Sequence, residues 1–461
     1  MDDLPDDALG DVLRRLAPRW LAVSRCICKA WRRTAWRRAI DERRLLRPDL
    51  LPLSLAGIFM HFDEHTFPEF FSRPSSSKRI NTKLDFLPPL KDPNMDYYVS
   101  DHCNGLLLTS TCVINPATRR WDPLPLLRPF FADPMGLTRV LGWYLAFDPT
   151  VSPHYQVFQV PYLPPKPYKP GDYGYRGPQD YVEPLVEKSE WPPAPCIMNV
   201  FSSRSGRWEE RSFAREGNAA GIVAELRQRW LFDAVYWRQA LYVHCQNNFF
   251  MRISLSEDKY CVIKPPMDMD IRVYSYLGKS KKGVYIASFI KDVFRVWILN
   301  ESYDQTKWVL KGEYDLKRVQ AFDKDVHGPW VLEDINYDLF GSRLPKSNKK
   351  VIVEQFEWNS DNDDDADDKS ENGDVVGERH NACKVLGFHP YKEILFLSSF
   401  KEREWKATVH AYHLNSSRVE CLGNICPTQY QQMEDQLQEE LGVQGYFPYT
   451  PCWTGDYPRN K

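Results

Sequence analysis

Hydrophobic positions follow two different periods along this chain. Near the start, Leu9, Val12, Leu13 and Leu16 recur at i, i+3, i+4 and i+7, one face of a helix. Pro5 suits a first helical position, and Asp6 and Asp7 sit where the positive helix end favours carboxylates. Arg14 and Arg15 suit the last turn, and Pro18 stops the helix. A second apolar stripe follows at Trp20, Val23, Ile27, Cys28 and Trp31. These short helices hold too little chain to enclose that apolar surface alone.

From about residue 95 the period changes to short apolar and aromatic runs separated by turn residues. Examples are Gly105–Leu108, Val113–Asn115, Trp143–Phe147, Ala240–Val243 and Val284–Ala287. Val293–Leu299, Ile394–Leu397 and Val409–Leu414 continue the series. Their length and composition predict strands. Few helical patterns interrupt them, which argues against a parallel β-α-β architecture. A weak unit recurs: an apolar strand, a polar turn, then another apolar or aromatic strand. It occurs at Val113–Trp121 and Val200–Trp208, and more loosely at Ile253–Tyr260 and His413–Val419. An aromatic-rich hairpin returning every roughly 40–50 residues is the sequence sign of a propeller blade. Unrelated hairpins in a sandwich are the alternative.

Charge and cysteine usage narrow the function classes. Over 461 residues the net charge is −2, so no global field draws the chain to nucleic acid or an anionic membrane. Residues 1–47 are locally basic, at +5, but their arginines alternate with apolar residues in helical register. That is the solvated face of amphipathic helices. No run of apolar residues is long enough to span a membrane. Met1-Asp2-Asp3 is not a signal-peptide start. Eleven cysteines without a repeated spacing read as reduced, mostly buried thiols. The expected location is cytoplasmic and/or nuclear.

Residues 4–32 resemble the F-box, the helical module that docks onto a Skp-type adaptor of a cullin–RING ubiquitin ligase. The matching positions are Leu4, Pro5, Val12, Leu13, Leu16, Leu21 and the closing Ile27-Cys28-Lys29-x-Trp31-Arg32, spaced without a gap. Trp20 departs from the family pattern, where a small or acidic residue usually starts a helix, and Ala22 is smaller than usual. The long remainder is similar to the F-box-associated domains of plant-type F-box proteins. The similarity rests on Cys103–Leu107 followed by Asn115-Pro116-Ala117-Thr118-Arg119-Arg120-Trp121, and on Phe147-Asp148-Pro149. It continues through Tyr236-Trp237, Val296–Leu299, Gly387–Pro390 and the closing Tyr449–Trp453. The resemblance implies an adaptor-binding surface of Leu4, Pro5, Leu9, Val12, Leu13, Leu16, Leu21, Ile27, Cys28 and Trp31. It also implies a kelch-related, β-propeller-like receptor domain.

Two insertions stand out. Residues 161–195 hold ten prolines and Tyr162, Tyr168, Tyr173, Tyr175 and Tyr181. Such a segment is expected to stay extended and outside central strands. Tyr168, Tyr173, Tyr175 and Tyr181 are its candidate target-binding residues, with a plain inter-blade loop as the alternative. Residues 359–378 carry Asp361, Asp363, Asp364, Asp365, Asp367, Asp368, Glu371 and Asp374, a density of like charge that predicts disorder. As a calcium loop counted from Asp361 it fails, with Ala366 at the turn and Asn372 at the bidentate position.

No catalytic constellation is legible, and no cofactor or metal is expected. Gly278-Lys279-Ser280 has the tail of a phosphate loop, but Val273 stands where the upstream Gly is required, so it reads as a polar hairpin turn. His410 and His413 fall on opposite faces of a strand. Asp101-His102-Cys103 holds the residue types of a thiol site, but adjacent residues cannot form its geometry. His244 and His389 read as satisfied structural groups.

The expected fold is therefore mainly β with a small α-helical N-terminal module: an F-box helical hairpin and then a propeller-like domain of about six to eight blades. The expected divisions are 1–47 for the F-box, 48–94 for a linker and first strands, and 95–461 for the β domain. The expected function is a non-catalytic substrate-recognition subunit of a Skp–cullin–F-box ubiquitin ligase. Its partners would be the Skp-type adaptor, through it a cullin, and a target protein, with no nucleic acid and no membrane. A propeller-fold enzyme acting on carbohydrate, and an F-box scaffold unconnected to degradation, remain open.

Overall fold

The computed structural model describes residues 12, 55–63, 65–74, 80, 82–88, 97–126, 140–163, 184–226, 233–246, 249–266, 269, 275–290, 292–302, 305–317, 319, 328–336, 382–401, 406–427 and 443–453. These residues are mainly β. The first blade begins with β1 (Gly57–Phe62) and β2 (Glu69–Ser72). The second is β3 (Val99–Cys103), β4 (Leu106–Thr109), β5 (Cys112–Asn115) and β6 (Arg120–Pro123). The third contains β7 (Val140–Ala146) and β8 (Gln156–Tyr162). A one-turn helix α1 (Pro184–Glu187) and β9 (Glu190–Trp191) precede its last two strands, β10 (Cys196–Ser202) and β11 (Arg207–Glu216). Next come β12 (Gly221–Ile222), paired with β9, and helix α2 (Val223–Leu226).

The fourth blade is β13 (Ala234–Trp237), β14 (Ala240–His244), β15 (Phe250–Ser254) and β16 (Lys259–Ile263). The fifth is β17 (Ser275–Ser280), β18 (Gly283–Ile290), β19 (Val293–Ser302) and β20 (Gln305–Asp315). Then β21 (Val331–Leu332) returns to pair with β2. The sixth is β22 (Ala382–Phe388), β23 (Ile394–Lys401), β24 (Lys406–His413) and β25 (Val419–Asn424). Finally β26 (Val443–Tyr449) pairs antiparallel with β1, so the first blade is β26-β1-β2-β21.

Six apolar clusters show how these sheets are arranged. One joins the first and second blades through Phe59, Phe70, Val99 and Ile114. Others join the second to the third (Leu108, Phe147), the third to the fourth (Phe158, Ile253) and the fourth to the fifth (Phe250, Trp297). The last two join the fifth to the sixth (Phe294, Leu397) and the sixth back to the first (Phe396, Met60). Six four-stranded blades with six successive interfaces make a closed ring, a β-propeller-like fold among the described residues; the third and fourth blades are continuous as one eight-stranded sheet through the parallel pairing of β11 with β16. Each sheet is covered on both faces, so β1 and β14 are buried at every position and read as continuous apolar runs rather than alternating ones. The outer strand β11 is mostly exposed or half-buried, with Phe213 its one fully buried position.

The repeated sequence unit occupies one structural position. Val113–Trp121, Val200–Trp208, Ile253–Tyr260 and His413–Val419 are each the outer hairpin of a blade: β5–β6, β10–β11, β15–β16 and β24–β25. In each turn the fourth residue after the incoming strand has positive φ: Arg119, Gly206, Asp258 and Ser417. One backbone solution therefore serves four different sequences.

Three expectations need correction. The β domain reaches back to Gly57 rather than starting at residue 95, because β1 supplies the strand on which β26 closes the ring. The segment 161–195 is not wholly outside the strands. Pro161 and Tyr162 end β8, beyond its last pairing with β10, where a missing N–H disrupts no ladder bond on that side. Trp191 is buried among Val223, Leu226 and Phe213. Finally, Gly278-Lys279-Ser280 is the end of β17, not a turn; a Cβ at Gly278 would meet the Phe388 ring at 2.5 Å.

Candidate functional site

Strand direction divides the ring into two unlike faces. The innermost strands β26, β3, β7, β13, β17 and β22 all end on the same face, as contacts between their ends show. Asn104 Nδ2 donates to Phe147 O (2.6 Å), Lys279 Nζ to Asn104 Oδ1 (2.9 Å), and Ser280 Oγ to Lys392 O (2.6 Å). Most connections on this face are short, among them Asn104-Gly105, Arg238-Gln239, Lys281-Lys282 and the outer turns; the Phe147–Tyr155 link and the β2–β3 connection that leaves Ser72 are longer. Gly105 shows how closely the chain is packed here. Its φ is +90°, and a Cβ would meet Cys452 at 2.5 Å.

The other long connections leave strand ends on the opposite face. Both insertions are among them, since the 161–195 segment links β8 to β10 and the acidic 359–378 segment lies between β21 and β22. The N-terminal segment, by contrast, joins β1 at Gly57 on the short-loop face, where the Ala56 N–H donates to Tyr449 O (2.9 Å).

The centre of the ring is polar. Asp101 is buried on β3, and its Oδ2 accepts a hydrogen bond from the Leu145 N–H on the free inner edge of β7 (2.6 Å). Burial pushes its carboxyl up to about 8, against the lowering pull of that bond and of Lys279. Burial, with Lys279 nearby, takes His102 down to about 3, so its ring is neutral. Burial takes the Cys103 thiol up to about 12, and Cys103 Sγ donates to Phe147 O (3.2 Å). A thiol held so far from its thiolate is not an activated nucleophile at neutral pH. Lys279 Nζ also donates to Tyr236 O on the edge of β13 (3.3 Å). These side chains occupy backbone groups that the innermost strands leave without a ladder partner. The chemistry they offer is cross-blade hydrogen bonding.

The motif Asn115–Trp121 has a related part. Asn115 is fully buried; its Oδ1 accepts from Ala117 N (3.1 Å) and Thr118 N (3.3 Å), while its Nδ2 donates to Cys452 O (3.0 Å). One side chain thus sets the outer turn and anchors the end of the closing strand. His244 Nε2 lies 3.4 Å from Ser275 Oγ, and His389 Nδ1 accepts from Tyr391 N (3.1 Å). His410 faces Ser399 (3.0 Å), whereas His413 faces Glu420 (3.7 Å). Among the described residues no group of three His, Cys, Asp or Glu could hold a metal ion.

Of the expected adaptor-facing residues, Leu4, Pro5, Leu9, Leu13, Leu16, Leu21, Ile27, Cys28 and Trp31 lie outside the described residues. Val12 is described as helical and exposed. Tyr168, Tyr173, Tyr175 and Tyr181 also lie outside, as does the acidic segment 359–378. Sequence reasoning missed the Asp101 and Asn115 bridges. An acidic or amide residue inside an otherwise strand-like run was the available signal.

No family model matches the chain, and no curated protein matches it. Among solved structures, a protein from Lactobacillus plantarum is similar over 80% of this chain and 96% of its own, at 9% identity and a TM-score of 0.29. Likeness at that level carries no argument about function. Among the described residues no helix is long and apolar enough to cross a membrane.

Proposed function

We propose that this chain is a substrate-recognition subunit of a Skp–cullin–F-box ubiquitin ligase. Residues 4–32 would hold the Skp-type adaptor, and the long-loop face of the ring would present the target protein. The observation that carries the reading is the division between the two faces. The N-terminal segment joins the ring on the short-loop face, while both insertions leave from the opposite one. A receptor needs that separation, because adaptor and target must be held at the same time. Its contribution is effective concentration: holding the target beside a charged ubiquitin carrier makes transfer nearly intramolecular.

The test is co-purification of the adaptor with a Leu13→Ala/Trp31→Ala variant. Truncating buried interface anchors costs about 2 kcal/mol or more each. Adaptor binding should disappear while the melting transition of the β domain is retained. Unchanged adaptor binding would overturn the proposal.

The second reading, an enzyme, is favoured by one observation: Asp101 and His102 are both strongly perturbed near the ring centre. Against it, Asp101 is committed to Leu145 and Lys279 to Asn104 and Tyr236. Soaking or titration with sugars that shifted His102 or Lys279 resonances would favour the enzyme.

A further inference from the structure

The short-loop face carries an unbalanced arc of cations across three neighbouring blades. On the third blade, Arg204 and Arg207 are exposed in and beside the β10–β11 turn. On the fourth, Arg238 is exposed in the β13–β14 turn, its guanidinium 5.5 Å from the Trp237 ring centre. On the fifth, Lys281 and Lys282 form the β17–β18 turn, and Lys307 stands near the start of β20. Lys282 Nζ is 3.9 Å from Glu393 Oε2. No ion pair among the described residues holds Arg204, Arg207, Arg238, Lys281 or Lys307. The whole chain has a net charge of −2, so this concentration is local.

Exposed acidic groups flank the arc on β11 (Glu209 and Glu210) and at the end of β19 (Glu301, paired with Arg252), and they interrupt it in one turn. Glu257 and Asp258 are exposed in the β15–β16 turn of the middle blade, and Asp258 pairs with Arg211. Nearer the ring centre, half-buried Asp148 is occupied by Thr150, whose N–H (2.9 Å) and Oγ1 (2.6 Å) both donate to it. The backbone that carries the cations, in short turns and at strand starts, is fixed by the blades before any partner arrives.

We infer that this arc is a docking surface for an acidic protein segment. Three classes of polyanion could meet it, and the arrangement discriminates among them. A duplex carries evenly spaced phosphates that cannot avoid Glu257 and Asp258. An anionic membrane presents an equally continuous charge that meets the same carboxylates, and the exposed apolar side chains near Lys307, Val309 and Leu310, lie on β20 rather than in the turns of the third and fourth blades. A protein segment can place Asp or Glu opposite the cations of the third and fifth blades and a neutral or basic residue opposite Glu257 and Asp258. The arc shares the face on which the N-terminal segment joins the ring, but its residues are separate from residues 4–32 and from the target face of the ubiquitin-ligase reading.

The experiment uses the full chain and a fluorescent oligoglutamate peptide, with duplex DNA and phosphatidylserine vesicles as competing probes. Peptide binding should be tightest at low salt and fall as salt rises. An Arg204→Glu/Arg238→Glu/Lys281→Glu variant should lose about tenfold or more in affinity with an unchanged melting transition, since all three side chains are exposed. A Glu257→Lys/Asp258→Asn variant should gain affinity for duplex DNA, because it removes the interruption. Absence of peptide binding at low salt, equal binding by the charge-reversed variant, or tighter binding of DNA or vesicles by the natural chain would each overturn the inference. So would peptide binding that emerges only after deletion of residues 359–378, because the occupant would then be the chain's own acidic segment.

Discussion

Asp101 on the second blade accepts a hydrogen bond from the backbone N–H of Leu145 on the third, at 2.6 Å. This carboxyl is raised by burial to about 8 in the folded chain. A raised folded value means that the folded state holds its proton more tightly than the unfolded state does. The contribution is therefore fully present below the ordinary carboxyl range, and it is lost as pH rises through about 8. Asp101→Asn keeps an acceptor for Leu145 but cannot ionise. Its melting temperature should fall less between pH 6 and pH 9 than that of the natural chain, as read by thermal denaturation at several pH values. Equal pH dependence in both proteins would show that Asp101 does not ionise in this range.

The opposite sign holds for the buried histidines. Burial lowers His102 to about 3 and both His389 and His410 to about 4. A depressed folded value means stability that is present above the ordinary histidine range and lost as pH falls toward 4 and then 3. Acid unfolding should therefore begin between about pH 6 and pH 4. Replacing His410 by Gln, which can still face the Ser399 hydroxyl, should make stability in that window less sensitive to pH. Circular dichroism along an acid titration measures it, and superimposable curves would count against the assignment.

Asn115→Ala removes both the turn acceptor and the donor to Cys452 O. Leaving such buried backbone groups without a partner costs about 1–3 kcal/mol. Urea unfolding should show a loss of that size, larger than for Thr118→Ala in the same turn. Amide exchange should also quicken around Tyr449–Cys452, because Asn115 anchors the end of the closing strand. A loss confined to the turn would separate the two effects.

Much of the ring was legible in local pattern, because its hairpins are local. The runs at Val113, Val200, Ile253 and His413 carry their own turn, and all four became outer hairpins. What stayed hidden is non-local. The pairing of Gly57–Phe62 with Val443–Tyr449 joins opposite ends of the β domain, and no short-range signal sets that register. The return of Val331–Leu332 to β2 is hidden for the same reason, held in place by Asn336 and Glu69 (2.7 Å). Asp101 looked like one member of a thiol motif, since the sequence cannot show that its partner is a backbone N–H on the next blade. The candidate adaptor and target residues lie outside the described residues, apart from Val12, so their placement stays an expectation from sequence.

The Pro- and Tyr-rich insertion gives the final prediction, because its ends and its middle should behave differently. At one end, Tyr162 OH lies 2.5 Å from Tyr144 OH and donates to His244 O (2.9 Å). At the other, Trp191 is 2% exposed in the cluster between the third and fourth blades. The chain around it is fixed by Tyr260 OH, which donates to Pro193 O (2.7 Å), and by Arg215, which pairs with Glu190. Deleting Pro161–Pro195 removes all of these anchors. Loss of a buried Trp alone costs about 3–5 kcal/mol, so this deletion should abolish cooperative folding. Replacing only residues 164–181 with a Gly/Ser linker of equal length spares every anchor and preserves reach. That variant removes Tyr168, Tyr173, Tyr175 and Tyr181, yet its melting temperature should stay within about 4 °C of the natural value, the shift expected for a loss below 1 kcal/mol. Adaptor binding should also be retained. Unfolding of the linker variant would show that this stretch belongs to the core and cannot serve as a dispensable arm for a target.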